Sequence, residues 1–179
     1  MNGRELVVGV TGGIAAYKVA ALASQLVQGG ADVRVVMTRA AGKFIGPATF
    51  EALTGRPVLR SAFNDPDHPL GVHIDLADAD LLCVAPATAN FLAKAALGLA
   101  DDLLSTLYLA FKGPVLVAPA MNDQMWDKPA VQRNVERLRA DGVHFIGPEE
   151  GWLSCRTRGI GRMADPEQIR DAILKILAQ

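Results

Sequence analysis

The sequence has little of several things, and each shortage excludes something. Two cysteines among 179 residues cannot build a disulfide framework, and Cys83 sits inside an apolar run, so a reducing, cytoplasmic setting is expected. Three histidines and two cysteines show no zinc-ligand spacing, and no metal is expected. Lysines and arginines are scattered and the net charge is −1, which argues against a nucleic-acid partner. No apolar stretch approaches the length of a membrane span, and Met1–Glu5 leads straight into a strand pattern, so no signal peptide is expected. What is present is apolar: half of the residues are hydrophobic, enough for one domain over 1–179 with a substantial core.

Those apolar residues alternate between two periods. Leu6–Val10, Val33–Met37, Leu81–Ala85, Val115–Ala118 and Val143–Ile146 read as strands buried on both faces. Ile14–Gln28, Pro47–Leu53, Asn90–Leu97, Leu103–Phe111, a segment from Pro129 to Ala140, and Ile169–Leu177 read as helices. Gly29-Gly30, Gly55 and Asp141-Gly142 provide stops, and Asp165-Pro166-Glu167-Gln168 a capping-box start. Arg56–Gly71, with three prolines, and the glycine-rich Gly147–Ala164 read as loops, the second as a lid. Strands alternating with helices predict an α/β fold: a three-layer, Rossmann-like (flavodoxin-like), doubly wound parallel sheet.

Val-Ala-Pro-Ala occurs twice, at Val84–Ala87 and Val117–Ala120, each time closing a strand pattern and each time followed by an asparagine, Asn90 and Asn122. Ligands of open α/β sheets bind beyond such strand ends. A third candidate, Thr11-Gly12-Gly13, joins the first strand to the first helix, where free N–H groups and the helix dipole welcome an anion. It is not a P-loop, since Tyr17 precedes Lys18 and no Ser or Thr follows. Nor is it a dinucleotide fingerprint: the glycine spacing is absent, and Thr38-Arg39 stand where an acidic residue would meet a ribose. A hydroxyl and a cation there suit a phosphate, so a mononucleotide is expected; FMN fits, and so do other small phosphorylated ligands.

Four segments together resemble the homo-oligomeric flavin-containing cysteine decarboxylases. Pro119-Ala120-Met121-Asn122-Asp123-Gln124-Met125-Trp126 matches that family's Pro-x-Met-Asn-x-x-Met-Trp motif, and Pro86-Ala87-Thr88-Ala89-Asn90 is similar to its Pro-Ala-Ser-Ala-Asn. His73-Ile74-Asp75-Leu76 resembles its His-Ile-Glu-Leu segment, and Gly159-Ile160-Gly161-Arg162-Met163, after Cys155, its substrate clamp. The order agrees along essentially the whole chain. The resemblance implies FMN as cofactor, with Gly13, Ile14, Ala15, Thr38, Arg39, Phe44, Thr88, Ala89, Asn90 and Ala120 near it. It implies His73 as a catalytic base, Asn122 as the ligand of the substrate carboxylate, Ser154 and Met163 in the substrate clamp, and Cys155 as a catalytic proton donor. His68 and His144 match no motif, and Met121, Met125 and Trp126 read as packing.

Within the family, Cys155 favours the branch that converts 4′-phosphopantothenoylcysteine to 4′-phosphopantetheine in coenzyme A biosynthesis by transient oxidation of the cysteine moiety. Relatives that modify peptidyl cysteine, and non-catalytic regulatory subunits, are the alternatives. The branch's bacterial members usually carry Gly and Asp after this cysteine; Arg156 and Thr157 stand here, with Arg158 following. The resemblance also implies a homo-oligomer, a trimer or a dodecamer of trimers, with its site between subunits. In many bacteria the activity is fused to a synthetase, so a free-standing enzyme or one half of a longer chain is expected.

Overall fold

A computed structural model describes residues 1–63 and 71–179. In chain order the elements are β1 (Glu5–Val10), α1 (Ala16–Gln28), β2 (Asp32–Met37), α2 (Pro47–Thr54), α3 (Val72–Asp75), β3 (Leu81–Ala87), α4 (Ala89–Leu97) and α5 (Leu103–Ala110). There follow β4 (Val115–Pro119), α6 (Asp123–Trp126), α7 (Pro129–Ala140), β5 (His144–Phe145), β6 (Glu149–Trp152), β7 (Arg158–Arg162) and α8 (Pro166–Leu177). The first five strands form one parallel sheet in the order β2-β1-β3-β4-β5. This is the flavodoxin-like α/β arrangement, and it reverses direction between β1 and β3, where a crevice opens beyond the strand ends.

Alternation within the strands explains the three layers. Leu6, Val8, Val10, Val33, Val35, Met37, Leu81, Cys83 and Ala85 point to one face, where they pack with α1, Phe50 of α2, and Ile169 and Ile173 of α8. Val7, Val36, Leu82, Val84 and Val117 point to the other, against α3, α4, α5 and α7. Because both faces are covered, the strands read as unbroken apolar runs rather than as alternating ones. Leu22 and Leu26 of α1 are fully buried, and burial of each such side chain contributes about 1.5–3 kcal/mol.

The helix ends follow their chemistry. Thr88 caps α4 by accepting from the Phe91 N–H, and Asp102 with Ser105 forms a capping box at α5. Lys128 precedes Pro129 at the start of α7, and Gln168 accepts from the Asp165 N–H at 2.7 Å at the start of α8.

Besides the short helices α3 and α6, which the sequence reading did not include, three segments differ from it. β3 extends through Pro86 to Ala87, with a register shift against β4 between Val84 and Ala87. Proline lacks an N–H, so the ladder is interrupted there without ending the strand. The expected loop 147–164 contains an antiparallel ribbon, β6 against β7. Its residues at 151, 159 and 161 are glycine, so the alternation that marks a strand is missing from the sequence. One of these has a spatial reason: a Cβ on Gly161 would collide with the Met121 carbonyl oxygen. Within 56–71, Leu59 forms a bridge to Val36 and is buried. His68 lies outside the described residues.

Candidate active site

Thr11 follows β1 and is 1% exposed. Its Oγ1 donates to the Pro86 carbonyl at 2.6 Å, accepts from the Thr88 N–H at 3.1 Å and lies 3.2 Å from Thr88 Oγ1. One buried hydroxyl thus fixes the first Val-Ala-Pro-Ala end against the turn after β1. In that turn the N–H groups of Gly12, Ile14 and Ala15 have no acceptor among the described residues. Gly12 is required by close approach, because a Cβ would run into Ala40. The Gly12–Ala15 backbone therefore offers three donors at the start of α1, the arrangement an anionic or carbonyl-rich ligand needs.

These donors face a cavity of about 910 Å³, within the range of cofactor pockets. Its walls include Gly13, Ile14, Ala15, Thr38, Arg39, Thr88, Ala89, Asn90, Ala120, Asn122, Ser154 and Met163. Four cations reach this wall: Lys18, Arg39, Lys94 and Arg162. Lys18 pairs with Asp165 at 2.9 Å, Lys94 with Asp101 and Asp102 at 2.6 and 2.7 Å, and Arg162 with Glu149 and Asp165. Among the described residues, Arg39 alone of the four has no carboxylate partner. It stands at the end of β2 beside Thr38, so its charge is available to a phosphate. The paired hydroxyl and cation, the free N–H groups and the cavity size fit a flavin mononucleotide.

The second strand end is built differently. Ala120 N–H donates to the Ala87 carbonyl at 3.1 Å, and Met121 N–H to the Gly161 carbonyl of β7 at 3.0 Å. The loop after β4 is therefore tied on one side to the first strand end and on the other to the ribbon. Asn122 caps α6: its Oδ1 accepts from the Gln124 N–H at 2.9 Å. This fixes the amide, turning its NH₂ group outward as a donor. Nδ2 donates to Cys155 Sγ at 3.1 Å, and Thr157 Oγ1 lies 3.0 Å from the same sulfur. The Thr157 hydroxyl foremost, and the Asn122 amide, hold the Cys155 thiol below its ordinary pKa against slight desolvation.

The two thiols differ in kind. Cys83 is buried in β3, and burial pushes its pKa up to about 12. Cys155 is exposed at the ribbon tip. Among the described residues, no cluster of His, Cys, Asp and Glu has a metal-binding arrangement, and no helix is long and apolar enough to cross a membrane.

The cavity gathers most of the residues singled out from the sequence, but three lie off its wall. Cys155 reaches it only through Asn122, at the rim. Phe44 is exposed after a 3-10 turn at Ala41–Lys43. His73 lies on α3, half-buried, with its Nδ1 buried and without a partner among the described residues. Met163 forms part of both the wall and the apolar core. The sequence did not mark Lys94, Asp102 and Trp152 as parts of the site, and it gave Thr11, Lys18 and Arg162, which lie in the candidate turn and clamp segments, no role of their own. Lys94 was discoverable, since it follows Asn90 by one helical turn and shares its face.

The Flavoprotein family model matches residues 1–178. The chain belongs to the Flavoprotein family. This flavoprotein is 50% identical over 170 residues to the coenzyme A biosynthesis bifunctional protein CoaBC of Bacillus subtilis (strain 168). That match covers 94% of the chain but 42% of the relative, so the chain spans less than half the length of the curated protein. The structure of the FMN-dependent cysteine decarboxylase SpaF superposes with a TM-score of 0.84 at 38% identity, covering 99% of this flavoprotein and 97% of SpaF. A cysteine-to-serine mutant of a PPC decarboxylase, complexed with pantothenoylaminoethenethiol, gives a TM-score of 0.89 at 30% identity, covering 98% of this flavoprotein and 99% of the mutant chain.

Proposed function

We propose that this flavoprotein, over residues 1–179 as one domain, decarboxylates 4′-phosphopantothenoylcysteine to 4′-phosphopantetheine in coenzyme A biosynthesis, with bound FMN. The observation that carries this reading is the contact between Asn122 and Cys155 at the cavity rim. A neutral donor suited to a carboxylate stands within one hydrogen bond of a thiol suited to give a proton. A reaction that removes a carboxylate and then protonates the carbon that held it needs those two groups side by side. The CoaBC relatives, and the enethiol carried by the PPC decarboxylase mutant, support the same substrate class. An enethiol is what decarboxylation leaves when the final reduction has not occurred.

FMN, when bound, supplies the acceptor and later the donor of a hydride. The chain supplies the rest. Gly12–Ala15 and Arg39 hold the phosphate-bearing portion, and Thr88, Ala89, Asn90 and Ala120 line the remainder. Asn122 orients the carboxylate without an ion pair, so the group is held but not over-stabilised before it departs. Cys155 then donates its proton to the carbon that bore it. His73, the base that receives the proton removed during oxidation, lies off its own chain's cavity wall, so a neighbouring copy in a trimer or dodecamer brings it to the site. The protein works in the cytoplasm.

The test is CO₂ release from 4′-phosphopantothenoylcysteine by the FMN-loaded protein, with product mass measured in parallel. Loss of CO₂ with formation of the saturated thiol is expected. Release of CO₂ only from a peptide ending in cysteine would replace this substrate, and release from neither would overturn the reading.

A further inference from the structure

Cys155 lies at the tip of the β6–β7 ribbon. Leu153 N–H donates to the Thr157 carbonyl and Arg156 N–H to the Leu153 carbonyl, both at 2.9 Å. These bonds close a tight loop whose last position must be left-handed. Arg156 takes that position with φ 65°, the only positive φ at a non-glycine residue among those described. The turn sets the Cys155 and Thr157 side chains together, with Sγ and Oγ1 3.0 Å apart. Asn122 approaches the same sulfur from α6.

We infer that Thr157 is a positioning residue for Cys155: its hydroxyl holds Sγ beside Asn122 and stabilises the thiolate formed when the thiol gives up its proton. The inference rests on the decarboxylase reading for the identity of the proton acceptor, but the Thr157–Cys155 contact stands without it.

The two partners of the sulfur have different duties. Asn122 must turn its NH₂ donors to the substrate carboxylate, so its bond to Sγ is diverted while substrate is bound. Thr157 has no competing partner among the described residues and remains with the sulfur throughout. When the S–H bond breaks, the proton passes to the substrate carbon that lost CO₂, and the electron pair stays on Sγ. Thr157 O–H then donates to the thiolate, and the freed Asn122 NH₂ can rejoin it. The accompanying two-electron reduction belongs to the flavin of the proposed reaction. Because Cys155 is exposed, solvent can return the proton.

Thr157 is also the largest cause of the lowered thiol pKa. The charged groups on the elements packed here are Glu149, Glu150, Arg158 and Arg162 of the ribbon strands, Arg156 of its tip, and Asp123 of α6. Glu150 pairs with Arg158 at 3.2 Å, and Asp123 lies against Gly159. None of these groups changes in the variants below, so a shift between variants reports the hydroxyl.

The test uses the full FMN-loaded chain with Thr157→Val, Thr157→Ala and Thr157→Ser. Without substrate, the pH profile of Cys155 alkylation by iodoacetamide is read by peptide mass spectrometry. The inflection should move up in Thr157→Val and Thr157→Ala and return in Thr157→Ser. With substrate in anaerobic single turnover, Thr157→Val should release its first CO₂ per flavin at the unsubstituted rate but give several-fold more enethiol, lighter than the normal product by two hydrogens, with the flavin left reduced in proportion. An unmoved inflection in both Thr157→Val and Thr157→Ala overturns the inference. So does an equal slowing of CO₂ release and of saturated-product formation. If the unsubstituted protein releases no CO₂, the decarboxylase reading fails while the alkylation profile still decides the role of Thr157.

Discussion

The two Val-Ala-Pro-Ala strand ends lie side by side, yet they are held by different means. Val84 pairs with Val117 and Ala87 with Pro119, so the repeats meet in adjacent parallel strands. The first is pinned from inside by the buried Thr11 hydroxyl and continues directly into α4. The second is held from outside by the backbone of an exposed ribbon and continues into a four-residue helix capped by Asn122. The first is a fixed wall suited to a resident cofactor, and the second carries the groups that exchange partners in the proposed reaction. A repeated tetrapeptide thus specifies a shape of strand end, while the neighbours of each copy specify its task.

The cysteines give the sharpest way to break this comparison. Cys83 belongs to the fixed wall, with its pKa pushed up to about 12; Cys155 belongs to the other, with its pKa lowered. At pH 8 in native buffer, alkylation of Cys155 should outrun that of Cys83 by on the order of a thousandfold from thiolate fraction alone. Burial widens the gap. Mass-resolved labelling that finds the two sites modified at similar rates would mean that the first wall opens as readily as the second.

Substitutions at the two ends should separate cofactor from chemistry. Thr11→Val leaves the buried Pro86 carbonyl and Thr88 N–H without their partner, a loss of about 1–3 kcal/mol in urea unfolding. FMN content should fall with it. Asn122→Ala removes a helix cap worth about 1 kcal/mol. It should retain FMN but lower kcat/KM by roughly tenfold to a hundredfold, the value of a hydrogen bond to a charged group. Equal loss of flavin in both variants would erase the division between the walls.

The sheet was legible because its strands are buried on both faces and end in glycine or proline turns. The Thr38-Arg39 pair and the two asparagines were legible because polar groups at apolar strand ends stand out. The ribbon was not, since three of its nine strand residues are glycine and its strands are short. Thr11 belonged to the candidate turn, but its own task was not legible, because a threonine after a strand carries no sign of which distant carbonyl it will meet. The pairing of Cys155 with Asn122 joins positions 33 residues apart, which no local pattern records. The position of His73 is a different matter. The motif around it was recognisable, but a motif assigns a role without a location, and α3 sets it off the cavity wall of its own chain.

The smallest effect concerns how the ribbon is anchored. Asp165 joins Lys18 of α1 to Arg162 of β7, and Arg162 also reaches Glu149 of β6. The Lys18 hydrogen bond foremost, with Arg162, holds the Asp165 carboxyl below its ordinary range. A carboxyl whose folded pKa is depressed stabilises the fold at pH values above its unfolded pKa, about 3.9, and loses that contribution as pH falls through the folded value. Asp165 is 42% exposed, so solvent screening limits the effect to less than about 1 kcal/mol at pH 7. Asp165→Asn should therefore lower the urea midpoint slightly at pH 7, and the gap from the unsubstituted protein should close as the pH drops below about 4. A gap of the same size at pH 7 and pH 3 would show that the charge of the Asp165 carboxylate does not anchor the ribbon.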